Sequence, residues 1–223
     1  MPVIVFASSK GGPGKTTCSI LTASELASEG TVDVTLIDAD PNQHSAAWAK
    51  KEGCPKNLYC IQNATEENII NEIVKAQART TFVVVDLEGV ASMTAGKAMS
   101  QADIIIIPCQ GSQNDAVETI KTINFIKSCW QMLGREIPFY VLLNRTSAAI
   151  EPKNLKYITE SFLQANINLF KCSLIDREAF RSILSFGGTV WDLDKKQVSS
   201  VDKAAENART FVFEIIQKLK DKA

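Results

Sequence analysis

One short stretch of this chain concentrates residue types that do chemistry together. Ser8-Ser9-Lys10-Gly11-Gly12-Pro13-Gly14-Lys15-Thr16-Thr17 follows an apolar run, Val3–Ala7, and opens a segment of helical periodicity, Lys15–Ser28. A buried strand, a glycine-rich loop and a helix N-terminus in that order form a cradle for phosphate. Glycines let backbone N–H groups turn onto phosphate oxygens, and the helix end adds positive partial charge. In such a cradle Lys15 reaches the β- and γ-phosphates, the Thr16 hydroxyl ligates Mg²⁺, and Thr17 lies near the α-phosphate. The usual spacing, G-x-x-x-x-G-K-[ST], wants glycine at position 9. Here Ser9 stands there, followed by Lys10, which puts a second cation inside the loop. Pro13 lacks an N–H, so that position must not need a donor.

Two further segments place carboxylates where such a loop would use them. Leu36-Ile37-Asp38-Ala39-Asp40-Pro41 ends one apolar run, and Phe82-Val83-Val84-Val85-Asp86-Leu87-Glu88-Gly89 ends another. Carboxylates at the C-terminal ends of parallel strands face the ligand crevice of an open α/β sheet. Asp38 and Asp86 suit Mg²⁺ held through water, the habit of this strongly hydrated cation. Asp40 suits the orientation of an attacking water. Asp38 and Asp40 have a second role open to them, as caps of the helix that follows. Glu88 reads better as a solvent-facing carboxylate than as part of the site. Gly89 would let backbone approach the γ-phosphate.

These residues need a frame, and the pattern supplies one. Apolar runs at Val3–Ala7, Val32–Ile37, Leu58–Ile61, Phe82–Val85, Ile104–Ile107 and Phe139–Leu143 read as strands, with a last one over Phe170–Ser173. Helical spacing covers Lys15–Ser28, Asn42–Lys51, Glu66–Ala78, Asp115–Leu133, Pro152–Gln164, Glu178–Leu184 and Lys203–Lys220. Strands separated by helices imply βαβ crossovers and a mostly parallel, doubly wound sheet covered by helices on both faces. The fold class is therefore α/β, a P-loop NTPase in one domain over residues 1–223, with no repeat or linker to divide it. Gly187–Ser200 is the least regular stretch.

Composition narrows the choice. The 223 residues hold 24 Lys and Arg against 25 Asp and Glu, net charge -1, which excludes a globally basic nucleic-acid binder but not a local patch. An apolar share of 45% excludes a disordered chain. One histidine, His44, excludes a multi-histidine metal site. The six cysteines form no CxxC pair and read as reduced thiols of a reducing cytoplasm. No run of roughly 18 apolar residues exists to span a membrane. The N-terminus opens directly on a strand, with no signal-peptide pattern.

KGGPGKTT, DADPNQ and VVVDLEG together resemble the deviant Walker A ATPases, the ParA/MinD group, in an order that covers nearly the whole chain. The small ParA-type plasmid partition ATPases, which lack an N-terminal helix-turn-helix domain, are most similar. Asp40–Trp48 is also similar to the virulence ATPases of the group that promote DNA transfer. The resemblance implies ATP and Mg²⁺ as cofactors and an ATP-dependent homodimer with two nucleotides at its interface. It implies non-specific DNA binding by that dimer, and a ParB-like centromere-binding adaptor that stimulates slow hydrolysis. It makes Lys10 the signature lysine that reaches the partner's phosphates, Lys15 and Asp40 its companions in catalysis, and Thr16, Asp38 and Asp86 the metal side. It makes Lys10, Gly11, Gly12, Pro13, Gly14, Lys15, Thr16 and Thr17 the phosphate loop.

Asn144, at the end of Val141-Leu142-Leu143, resembles the purine-contacting position, though a strand-end turn asparagine is the plain alternative. Gln110–Asp115 resembles the loop that senses the nucleotide, and Asp115 could equally be an N-cap. Asp86-Leu87-Glu88-Gly89 lacks the Asp-x-Pro-Pro of many chromosomal relatives, which favours the plasmid branch. DNA contacts are expected in the basic C-terminal quarter, above all from Arg177, Arg181 and Arg209. Other roles of the group stay open: positioning another cargo, assisting DNA transfer, or a MinD-like membrane association through Phe211, Val212, Ile215, Ile216 and Leu219. That apolar stripe reads better as a face packed on the sheet, so membrane binding is not expected. The expected location is the bacterial cytoplasm, on the nucleoid when ATP is bound.

Overall fold

A computed structural model describes residues 1–90, 92–149 and 152–221. Seven strands form one parallel sheet in the order β3-β2-β4-β1-β5-β6-β7. They are β1 (Val3–Phe6), β2 (Val34–Ala39), β3 (Leu58–Ile61), β4 (Phe82–Leu87), β5 (Ile104–Cys109), β6 (Phe139–Thr146) and β7 (Leu174–Ile175). The alternation along the strands feeds two separate cores. Ile4, Phe6, Leu36, Val84, Ile104 and Ile106 pack on one face with helices α1 (Lys15–Ala27), α2 (His44–Ala49), α7 (Glu178–Phe186) and α8 (Val201–Lys220). Val3, Val5, Ile37, Val83, Val85, Ile105 and Ile107 pack on the other with α3 (Ile69–Gln77), α4 (Met93–Ser100), α5 (Gln113–Leu133) and α6 (Lys153–Gln164). Strands buried on both faces explain why the sequence reads as continuous Val/Ile runs rather than alternating ones.

Three elements depart from the sequence reading. The last strand is Leu174–Ile175, not Phe170–Ser173. Phe170 is instead spent on ring contacts with Tyr140 and Phe211, at centroid distances of 5.8 and 5.4 Å. Helix α2 begins at His44, because Gln43 sits in the left-handed region at φ 53°. Helix α4 carries a small-residue face, Ala95 and Ala98, with Gly96 between them, and gives no strong periodic signal. The irregular stretch after α7 contains a 3₁₀ turn, Val190–Asp192, capped by Thr189.

Helix α8 packs as expected. Ala204, Ala205, Ala208, Phe211, Val212 and Ile215 are buried against the sheet. Lys218 lies over the Tyr140 ring at 4.1 Å and pairs with Glu214 at 3.2 Å. Glu214 in turn accepts the backbone N–H groups of Lys171 (2.7 Å) and Cys172 (2.9 Å). No helix among the described residues is long and apolar enough to cross a membrane.

Candidate active site

Strand order decides where the site lies. β1 is flanked by β4 and β5, so the loop after β1 opens between the ends of those two strands. In register, Phe6 pairs with Asp86, and Asp86 pairs with Asp38 of β2. Both carboxylates are fully buried, on the face that α1 and α2 cover.

The loop itself is shaped by its glycines. Gly12 (φ 93°) and Gly14 (φ 105°) hold left-handed conformations, and Gly14 is the N-cap of α1. A side chain there is excluded twice over, by φ and by the Asn144 amide, which a Cβ would strike. Asn144 donates to the Pro13 carbonyl at 2.7 Å and accepts the Arg145 N–H at 2.9 Å. Gln110 donates to the Gly12 carbonyl at 2.9 Å. β5 and β6 thus both fix the loop from its far side.

Lys15 is 6% exposed and donates back to the Lys10 carbonyl at 3.2 Å. Burial lowers its ammonium below the ordinary lysine range, and Asp86, Asp40 and Glu88 partly offset this. Asp86 is pushed up to about 6 by burial, against hydrogen bonds from Ser45 and Thr16 and with repulsion from Asp38. Its oxygens accept Ser45 Oγ at 2.6 Å and Ser19 Oγ at 3.3 Å. Asp38 is raised by burial too, opposed by the N–H groups of Ala46 (2.8 Å) and Asp40 (3.1 Å). Asp40 stands at the rim and accepts both Asn42 nitrogens, at 2.8 and 2.9 Å. Glu88 is exposed, as expected.

Lys10 points away from the cradle. Its Nζ pairs with Asp115 at 2.7 Å in the same chain, and that hydrogen bond raises the ammonium above its ordinary range. Burial pushes Asp115 up, but hydrogen bonds from Lys10 and Ser112 outweigh it and hold the carboxyl below the usual range. Asp115 is not the N-cap of α5. Ser112 is, accepting the Asp115 N–H at 3.2 Å. Ser9 is clamped to the same helix, through Glu118 Oε2 at 2.6 Å and Thr122 Oγ1 at 2.9 Å. A hydroxyl thus stands where the usual loop pattern wants glycine, and it bonds Glu118 of α5 at both the carboxylate and the backbone carbonyl (2.8 Å), while the Thr122 bond comes from the Ser9 backbone N–H.

Magnesium fits the metal side on its donors. The Thr16 hydroxyl and the two repelling buried carboxylates are all oxygen, the chemistry this ion takes. No three His, Cys, Asp or Glu side chains among the described residues form a cage, so phosphate and water would complete the coordination.

The three expected DNA-contacting arginines are not gathered into one patch. Arg177 is the N-cap residue of α7, beyond the C-terminal end of β7, and Arg181 lies one turn on. Arg181 pairs with Asp176 at 2.5 Å. Arg177 has a buried Nε with no hydrogen-bond partner. Arg209 reaches the other end of α1, where it pairs with Glu25 at 2.8 Å and stacks on Trp191 at 4.7 Å.

With this geometry in place, the comparisons are specific. The model of the VirC1 protein family matches residues 1–219. The chain belongs to the VirC1 protein family. This places it within the ParA/MinD group of ATPases, as the motifs indicate. A curated relative, Protein ParA of Rhizobium radiobacter, is 34% identical over 219 residues, 98% of each chain. The maintenance of carboxysome distribution protein A of Halothiobacillus neapolitanus is 26% identical over 90% of this chain and 91% of its own. Among solved structures, a putative plasmid partition protein of Borrelia burgdorferi bound to AMPPNP superposes with a TM-score of 0.70 at 17% identity, covering 97% of this chain and 99% of that one. VirC1-family membership and this likeness agree on one fold, a parallel sheet with a P-loop after its first strand.

Sequence reasoning found the loop and its acids but missed their supports. Ser19, Ser45, Glu118 and Thr122 are ordinary residues in helices, and only the folded geometry turns them toward the site. The one available hint was that Ser19 lies one helical turn past Lys15.

Proposed function

We propose that this VirC1-family chain is a ParA-type ATPase. It binds ATP with Mg²⁺, pairs with a second copy across two sandwiched nucleotides, and binds DNA without sequence preference in that state. A ParB-like adaptor then stimulates hydrolysis and releases the dimer, so that DNA is segregated. The reading places the protein in the bacterial cytoplasm, on the nucleoid when ATP is bound. The observation that carries it is a buried Lys15 at the end of a glycine loop, under the charge of Asp86, which pairs in register with the equally buried Asp38 at the sheet's switch point.

In this reading Lys15 and the α1 N-terminus hold the β- and γ-phosphate oxygens. Mg²⁺ supplies charge neutralisation at those oxygens, held by Thr16 and, through water, by Asp38 and Asp86. Asp40, at the rim, orients the attacking water. Lys10 must leave Asp115 to reach the partner's phosphates. Asn144 holds the loop at Pro13 and, in this reading, contacts the adenine. Arg177 is the better DNA candidate, since Arg209 is committed to Glu25 and Trp191 and Arg181 to Asp176.

A second reading, the positioning of another cargo by the same cycle, is favoured by the name of the carboxysome-distribution relative. Size-exclusion with light scattering tests the shared core. The protein should be a monomer with ADP and a dimer with ATP and Mg²⁺. A monomer under both conditions would contradict the cycle.

A further inference from the structure

Helix α2 carries buried polar bonds at both ends, and they connect the metal-side carboxylates to a distant turn. At its start, successive residues serve the two acids: Ser45 Oγ donates to Asp86 at 2.6 Å, and the Ala46 N–H donates to Asp38 at 2.8 Å. Ser45 is fully buried. Of the other hydroxyls on Asp86, Thr16 is the one that would turn to the ion, and Ser19 is further away at 3.3 Å and bonded more closely to the Lys15 carbonyl at 2.9 Å. Ser45 is therefore the main fixed donor that sets how the Asp86 carboxylate is turned.

At the other end, Trp48 is 1% exposed and its Nε1 donates to the Gly188 carbonyl at 3.2 Å. Lys51 Nζ donates to the carbonyls of Leu184 and Ser185, both at 2.8 Å, at the end of α7. The seam has no slack. A Cβ on Gly187 would lie 2.5 Å from Lys51 Cβ and 2.6 Å from the Glu52 carbonyl oxygen. A Cβ on Gly53 would lie 3.1 Å from Gly188 Cα. Gly187 (φ 84°), Gly188 (φ 66°) and Gly53 (φ 81°) also hold left-handed conformations. A helix of six residues is about 9 Å long and moves as a rigid piece, so a displacement at the seam reaches Ser45.

We propose that α2 is the positioning element for the magnesium side of the site: Ser45 orients Asp86, and the Gly187–Gly188 backbone, through Trp48 and Lys51, holds Ser45 in place. Ser45, Trp48, Lys51 and Gly187 are positioning residues that touch neither nucleotide nor ion. The inference rests on the nucleotide reading above. It also makes the end of α7 a control point, since anything that shifts that turn resets the metal-side acids.

The test is binding of a fluorescent N-methylanthraniloyl-ATP across a Mg²⁺ series and in EDTA, with thermal unfolding of each variant alongside. Ser45→Ala should leave EDTA affinity within about two-fold while raising the half-saturating Mg²⁺ concentration about ten-fold, the scale of lost outer-shell partners. Ser45→Thr, which keeps the hydroxyl, should recover most of that shift. Gly187→Ala and Lys51→Met, both remote from the nucleotide, should move the Mg²⁺ midpoint the same way by about three-fold. Phe186→Ala, an exposed neighbour of the seam, should change nothing. An unchanged Mg²⁺ midpoint in Ser45→Ala, or parallel losses with and without Mg²⁺ in the seam variants, would overturn the proposal. Should Ser45→Ala fail to fold, Ser45→Thr and Lys51→Met decide it by the same two criteria. A wild-type chain that binds no nucleotide would instead overturn the nucleotide reading and this proposal with it.

Discussion

The two charged regions of this molecule are built on opposite principles. At the nucleotide end, like charges are brought together and left for a ligand: Asp38 beside Asp86, with a buried Lys15 nearby. In the basic C-terminal quarter, several cations already have partners. Arg209 is held by Glu25, Arg181 by Asp176, Lys195 by Asp202 and Lys218 by Glu214. Buried charges that repel one another persist only where something else compensates them. Exposed pairs need no such ligand and contribute little to stability. On the proposed reading, one chain supplies the loop, Lys15 and the metal-side acids, and only Lys10 acts across the interface. A DNA surface, by contrast, must be assembled from the cations left over, Arg177 first among the three expected arginines.

The sharpest way to break the comparison is at Lys15. Lys15→Ala removes a buried charge-assisted contact of about 3 kcal/mol, so ATP should bind on the order of 100-fold more weakly by calorimetry. Binding within a factor of two would remove Lys15 from the site. Next comes Gly14→Ala, which forces an L-residue to φ 105° against the Asn144 amide. A cost of about 1–3 kcal/mol should appear as a lower melting temperature and weaker nucleotide binding. Unchanged melting would mean that the loop is freer than its geometry implies. Lys10→Ala should keep nucleotide but lose the ATP-dependent dimer on size-exclusion; a normal dimer would assign Lys10 to its contact with Asp115 alone.

Two smaller effects sharpen the other side of the comparison. Arg177→Ala should weaken DNA binding and lower the slope of log affinity against log salt by about one, whereas Arg209→Ala should leave that slope unchanged. Equal slopes for the two would erase the distinction between free and committed arginines. Glu214→Gln should cost about 1 kcal/mol at neutral pH. Burial raises the Glu214 carboxyl, but the Cys172 and Lys171 N–H groups, with the Cys172 thiol and Lys218, bring it below its ordinary value. A depressed folded-state value stabilises above the unfolded-state titration and is lost as pH falls through the folded one. The gap in melting temperature between wild type and Glu214→Gln should therefore close below the ordinary glutamate range. A gap independent of pH would assign the effect to packing.

What was legible in the sequence follows the same division. The loop, Asp38 and Asp86 could be read because phosphate chemistry demands fixed residue types at strand ends. The strands could be read because two-sided burial demands β-branched runs. Ser45 could not, since a serine in a short helix has many uses and only the β2–β4 register turns this one onto Asp86. The pairing of Lys10 with Asp115 joins residues more than a hundred apart and depends on β1 lying beside β5. The last strand was misplaced because Phe170 carries the stronger local signal, yet tertiary ring contacts claim it.

The most direct test of the central claim is DNA binding by the Asp40→Ala protein with ATP, with ADP and without nucleotide, across a salt series. Loss of the water-orienting carboxylate should trap the ATP state. The account predicts sequence-independent, salt-sensitive binding with ATP and Mg²⁺ alone. Binding that is equal in all three conditions, or absent with ATP while the dimer forms, would contradict it.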